Sequence, residues 1–189
     1  MIIDISNEIR LKWNTLCEVH NLTKKYMLLS EEYSVDMKTY IQPMKEQKDA
    51  YEHIVRAYSV MYNNIENTSN KLDKKDEQYL LKNLDKAISH EFRAFYDTID
   101  YFTLVLRNLF YNELKFFSGA EILKVYPHYR EIKNRLLELP EKIAIQRNNK
   151  DIGNSDPVAL ASEYAKVLDN LLNDYESLMD NVLCKIKIK

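Results

Sequence analysis

The sequence predicts an all-α protein, an elongated antiparallel bundle of five or six helices. Three observations carry that expectation. The chain of 189 residues holds two glycines and four prolines, too few turn formers for a sandwich or barrel, which needs a turn every eight to twelve residues or so. Apolar side chains recur at intervals of three and four over long stretches, the period of a helix with one buried face. From Asp73 to Phe117 there is neither Gly nor Pro. As one helix that segment would span roughly 65 Å at about 1.5 Å per residue, against about 40 Å for a compact domain of this size. Either the body is elongated, which the reading favours, or the helix breaks near Asn83 to Asp85 or Asn108 to Asn112. No shift in composition divides the chain, so residues 1–189 are read as a single domain.

The elements follow in order. Helix one is expected over about residues 4–39, with Leu22, Tyr26, Leu29, Tyr33, Met37 and Tyr40 in a heptad-like course. Pro43 suits the first turn of a second helix, where its missing N–H costs nothing, and that helix runs over about 43–66. Asn63, Asn64, Asn67, Thr68, Ser69 and Asn70 then compete for backbone hydrogen bonds and turn the chain. The third helix covers about 73–117. Ser118 and Glu121 have the spacing of a capping box that starts a short helix over 119–126. A fifth runs from His128 to about residue 148 with a kink at Pro140, and the polar loop to Asp156 follows. Asp156-Pro157 is an N-cap and first-turn pair for a last helix over about 157–185. Its narrow seam of Ala161, Tyr164, Leu168, Leu171, Tyr175, Leu178 and Val182 calls for a neighbouring helix.

Charge narrows the classes of function. Twenty-seven basic against 29 acidic side chains give no global attraction to nucleic acid or anionic membrane. The compact basic tail from Lys185 to Lys189 reads as a soluble terminus. The apolar run from Phe102 to Phe117 is interrupted by Arg107, Glu113 and Lys115, so no membrane span is expected. The first residues lack the basic flank and apolar stretch of a secretory signal, and Cys17 and Cys184 are expected to be reduced, packed thiols. A cytoplasmic location fits.

One pattern is written twice, 37 residues apart: Ala50-Tyr-Glu-His53-Ile-Val-Arg56-Ala57-Tyr58 and Ala87-Ile-Ser-His90-Glu-Phe-Arg93-Ala94-Phe95. Both copies read Ala-x-x-His-x-x-Arg-Ala-aromatic, and two of the four histidines sit in them. At about 100° per residue the alanines edge the apolar arc, the histidines border it and the arginines face away. Glu52 precedes Arg56 by four residues and Asp97 follows Arg93 by four, so both arginines can form ion pairs along their own helices. The bland reading is a duplicated helix edge. The sharper one places His53, Arg56, His90 and Arg93, with Asp97, around one groove. There histidine can move protons near neutrality and arginine can stabilise a phosphorane, enough for metal-independent RNA cleavage.

In architecture alone, such a helical domain resembles the HEPN ribonucleases, whose motif is Arg followed after four to six residues by His. No Arg here is followed by His at that spacing, since the order is His, two residues, Arg, and the chain is not assigned to that family. The residues three before His20, His53, His90 and His128 are Cys, Ala, Ala and Val, which lacks the Glu-x-x-His of ferritin-like metal sites. No zinc cluster, phosphate-binding glycine loop or nucleophile elbow occurs either. No metal and no cofactor are expected.

Fourteen tyrosines are many for this length, and a ring with a polar tip suits half-buried seams or an interface rich in aromatic anchors. Tyr58 and Tyr96 are candidate binding residues on that ground. Arg147 and Lys150, in the polar stretch around Gly153, are candidates for an anion or a partner. The leading expectation is a non-enzymatic helical interaction or assembly protein, an accessory subunit or homo-oligomer. The alternative is a nucleic-acid- or phosphate-binding helical protein, RNA-cleaving without metal, that uses the paired His and Arg. The separation of His53 and His90 discriminates: within about 10 Å around a cleft they could serve one substrate.

Overall fold

In the computed structural model of the chain, residues 5–34, 40–66, 72–149 and 156–183 are described. They form six α-helices and no strand. These are α1 (Asn7–Tyr33), α2 (Ile41–Glu66), α3 (Lys74–Leu114), α4 (Gly119–Val125), α5 (Tyr129–Asn149) and α6 (Pro157–Leu178), which ends in a π turn over Met179–Leu183. The all-α expectation holds.

The third helix does not break. Its 41 residues make a rod about 60 Å long at about 1.5 Å per residue, and the rest of the bundle is arranged along it. Asp73 caps its start by accepting from the Asp76 N–H at 2.7 Å. Asn83 and Asn108, where a break was conceivable, lie inside the helix. Asn83 keeps its place by donating back to the Tyr79 carbonyl at 2.8 Å.

Consecutive long helices run antiparallel, so α1, α3 and α6 point the same way. The pairs Lys12–Asp85, His20–Glu91, Tyr26–Phe95 and Tyr33–Phe102 climb α1 and α3 together. Tyr26 and Tyr33 likewise meet Asp169 and Glu176 of α6 in rising order. Two apolar clusters divide the length of α3. The larger joins Tyr26, Phe95, Ile99, Phe102 and Leu106 to Ile132 of α5 and to Tyr164, Leu168 and Leu178 of α6. The smaller joins Ile9 and Leu16 of α1 and Ala57 of α2 to Leu80, Leu84 and Ala87. The narrow seam on α6 therefore finds its neighbours within the chain, because Ala161, Tyr164, Leu168, Leu171 and Leu178 are all buried.

Several boundaries move. Helix one ends at Tyr33, where Ser34 turns extended and its N–H bonds the Glu31 carbonyl, so the heptad course stops short of Met37, which lies outside the described residues. Helix two starts at Ile41, with Pro43 at its third position. Helix five passes through Pro140 and ends at Asn149, since the exposed ring removes one N–H from the ladder without another element forcing a stop. The capping box at Ser118 and Glu121 has both of its reciprocal bonds, and Asp156 caps α6 as expected. Cys17 is exposed rather than packed, because its position on α1 faces away from α3. Cys184, the basic tail and the asparagine turn from residue 67 lie outside the described residues. No helix is long and apolar enough to cross a membrane among the described residues.

Candidate functional site

The two copies of the repeated pattern face each other across α2 and α3. Ala50, Ala57, Ala87 and Ala94 are completely enclosed, and their missing side-chain bulk lets the two antiparallel helices approach closely along the line they share. That approach brings the histidines together. The rings of His53 and His90 lie 5.5 Å apart, centre to centre, and within 17° of parallel, inside the separation at which they could serve one substrate.

Each histidine is anchored by a residue seven positions before the other. His90 Nδ1 lies 2.9 Å from Glu46 Oε2, and His53 Nδ1 lies 2.9 Å from Asn83 Oδ1. Glu46 precedes His53 by seven, and Asn83 precedes His90 by seven. A shift of 37 carries each crossed contact onto the other, which makes α2 and α3 two matching halves of one antiparallel joint. The duplicated pattern is thus longer than its alanines and histidines suggest, and its first positions, Glu46 and Asn83, escaped the sequence reading. The seven-residue spacing was the signal that could have found them.

The hydrogen-bond partners set the role of each Nδ1. Asn83 donates from Nδ2 to the Tyr79 carbonyl, so Oδ1 is the acceptor that faces His53, and His53 donates through Nδ1. Glu46 as a carboxylate only accepts, so His90 also donates through Nδ1. Arg93 Nη2 lies 2.9 Å from that same nitrogen but cannot donate to a protonated one. Its anchor is Nε, which donates to Glu46 Oε2 at 3.0 Å. Burial alone would raise the Glu46 carboxyl. The hydrogen bonds from His90 and Arg93 and the positive charge of both outweigh it, and its pKa falls below the ordinary carboxyl value.

The expectation that both arginines face away from the core and pair along their own helices is corrected for Arg93. Its guanidinium reaches across to Glu46 of α2, because the close alanine contact brings α2 within range. Arg56 does behave as expected, bonding Glu52 along its own helix at 3.5 Å. Asp97 lies one turn beyond Arg93, half-buried, in an open groove of about 510 Å³ between the start of α2 and the middle of α3. Asp100, Tyr101, Leu104 and Pro43 also line it.

Tyr96 does not reach any surface. Its ring is wholly enclosed, against Phe92, Phe95 and Tyr164, because it falls on the face of α3 turned toward α6. Burial, then the charges of Glu163 and Asp100, push its phenol up to about 12. Tyr58 is the opposite case, 61 % exposed on the outside of α2. Arg147, at the end of α5, donates through Nε to Asp100 at 2.7 Å, and Tyr164 donates to the other oxygen of the same carboxylate. Asp100 and Tyr164 were not anticipated as a pair, since 64 positions separate them. Lys150 lies outside the described residues.

Chemically the joint offers two imidazoles stacked 5.5 Å apart, each held through Nδ1 by a residue of the other helix. Its cations are already matched by Glu46 and Glu52, and the adjoining groove adds two aspartates. Among the described residues no group of three His, Cys, Asp or Glu side chains is placed to hold a metal ion. Comparison of the chain with protein-family models, with curated proteins and with solved structures finds no match.

Proposed function

We propose that this protein is a non-enzymatic helical interaction protein that associates through the outer face of α2, with a second copy of the chain as the occupant. The observation that carries the reading is an apolar seam on α2 that no other element covers among the described residues. Ile41, Met44, Tyr51, Val55, Tyr58 and Tyr62 recur at alternating intervals of three and four, interrupted only at Lys48. They are exposed by 72, 50, 65, 42, 61 and 48 % respectively. The opposite side of α2 already packs on α3 through Ala50 and Ala57. A seam at this spacing is the pattern by which two helices interlock, and a single polar residue within it sets register. A stripe running along one helix is also self-complementary when two copies meet about a two-fold axis. Tyrosines supply large contact area at small entropic cost.

Sedimentation velocity at about 100 μM, well above a micromolar dissociation constant, tests this. The wild-type chain is expected at twice its 22.5 kDa mass, and Tyr51→Glu with Tyr58→Glu at the monomer mass with unchanged helicity. A wild-type chain that stays monomeric at that concentration overturns the reading.

A second reading, metal-independent RNA cleavage or phosphate binding, is supported by the 5.5 Å separation of the His53 and His90 rings. The carboxylates of Glu46 on His90 and of Asp97 and Asp100 in the adjoining groove oppose an anion. Incubating labelled RNA with chelator present and comparing wild type with His90→Ala decides it. Cleavage that disappears in the variant supports the reading, and no His90-dependent cleavage ends it.

A further inference from the structure

The C-terminal third of α3 and the first turns of α5 enclose an open groove of about 370 Å³. Its floor is apolar, formed by Phe110 and neighbouring leucines, and its edges carry Tyr111 and Leu137, exposed by 69 and 71 %. Three cations stand around it: Arg107 and Lys115 on the α3 wall and Lys133 on the α5 wall. Among the described residues Lys115 touches only neutral groups, donating to the Asn112 side chain at 3.3 Å and lying over the Phe116 ring. Arg107 and Lys133 have no ion-pair partner among the described residues. This contrasts with Arg135 on the other side of α5, whose guanidinium is matched by Asp174 of α6.

We propose that this groove docks an acidic amphipathic helix of a partner protein. Lys115, the C-cap of α3 with helical backbone angles, stands eight residues after Arg107, about 12 Å along the axis at about 1.5 Å per residue. One phosphate cannot bridge that distance, whereas carboxylates two turns apart on a helix lie at the same separation. Between them the apolar floor accepts leucine-like side chains at intervals of three and four, the helix-in-groove mode of recognition. The unmatched positive rim supplies charge complementarity and orients the incoming helix. The surface is separate from the α2 seam, so the two can be tested independently.

Fluorescence anisotropy with the full-length chain provides the test. The probe is a labelled synthetic amphipathic helix with leucines on one face and glutamates flanking it about two turns apart, compared with the same peptide carrying lysine for glutamate. The acidic peptide is expected to bind and to weaken as salt rises, and the basic one not to bind. Arg107→Glu with Lys133→Glu is expected to weaken the acidic peptide about tenfold or more and to admit the basic one. Both side chains are exposed, and circular dichroism checks that the variant remains folded. Tyr111→Ala, which leaves the charges in place, should weaken the acidic peptide too. The Tyr51→Glu, Tyr58→Glu variant should bind it like wild type. Acidic-peptide binding that survives charge reversal, or its absence in the wild type, overturns the proposal. So does a labelled oligoribonucleotide that binds through Arg107 and Lys133 while the acidic peptide does not.

Discussion

Glu91 sits beside His90 in the sequence but points the other way, into the contact between α3 and α1, where it is 3 % exposed. One carboxylate oxygen meets His20 Nδ1 at 3.0 Å, and the other has no hydrogen-bond partner among the described residues. The hydrogen bond and charge of Glu91 raise the His20 pKa above 6.5, against the opposing effects of burial and Lys24. Because the folded value is the higher one, the protonated pair contributes fully below pH 6.5 and its contribution is lost as pH rises through the raised value. Glu46 has the opposite sign. Its lowered pKa stabilises the fold above pH 4.5, and that contribution is lost as pH falls through the lowered value. Urea unfolding should therefore show the wild type losing stability relative to His20→Ala as pH rises from 6.5 through the raised value. At pH 6 that substitution should cost about 1–3 kcal/mol, since it strands a buried carboxylate. Identical pH dependence in the two proteins would sink the assignment. Nothing in the sequence pointed to His20, because its partner lies 71 positions away and contacts between helices leave no local spacing to read.

At the scale of elements, what was legible was whatever is settled locally. The caps at Ser118 and Asp156 rest on side chains within three residues of the backbone they bond, so their spacing alone locates the starts of α4 and α6. The length of α3 was legible for the same reason, since no residue between Lys74 and Leu114 opposes a helix. The end of α1 was not, because Tyr33 and Tyr40 both keep the apolar period, yet Ser34 turns extended between them. Tyr40 is buried beside Tyr101 after the chain has already turned. Periodicity reports which side chains are buried, not whether one helix carries them all. The same limit governed the arginines. A helical wheel placed Arg56 correctly because Glu52 is on its own helix, and misplaced Arg93 because Glu46 comes from the next one. The repeated pattern itself was legible as a repeat. Its meaning as two halves of one joint needed the crossing of α2 over α3, which brings Glu46 to His90 and Asn83 to His53.

For the molecule as a whole, α3 packs against α1, α2, α5 and α6, while α2 leans chiefly on α3 and presents its other side outward. The fully enclosed apolar part that α2 brings to the contact is small. Among the described residues the enclosed side chains that α2 contributes along it are Pro43, Ala50 and Ala57, each burying far less surface than a leucine or phenylalanine, with Ile54 and Met61 half-buried beside them. Much of the remaining joint is polar, built from Glu46, His53, Asn83, His90 and Arg93. By contrast α6 inserts Tyr164, Leu168, Leu171 and Leu178 into the main cluster. Opening free energy follows the apolar contact an element must surrender, so α2 should detach as a unit well below the cost of global unfolding. Native-state hydrogen exchange is expected to show amides of α2 around Ala50 to Ser59 exchanging through a lower-energy opening than those of α3 around Phe95 to Leu106. Concentration then separates this behaviour from simple fraying. If a second copy covers the outer seam, mass action stabilises the closed form, so protection in α2 should rise with protein concentration while protection in α6 stays constant. Equal protection in α2 and α3 in dilute solution would show that the polar joint holds α2 as firmly as an apolar core. Protection of α2 that does not change with concentration would leave its apolar seam without the self-association that its spacing and exposure point to.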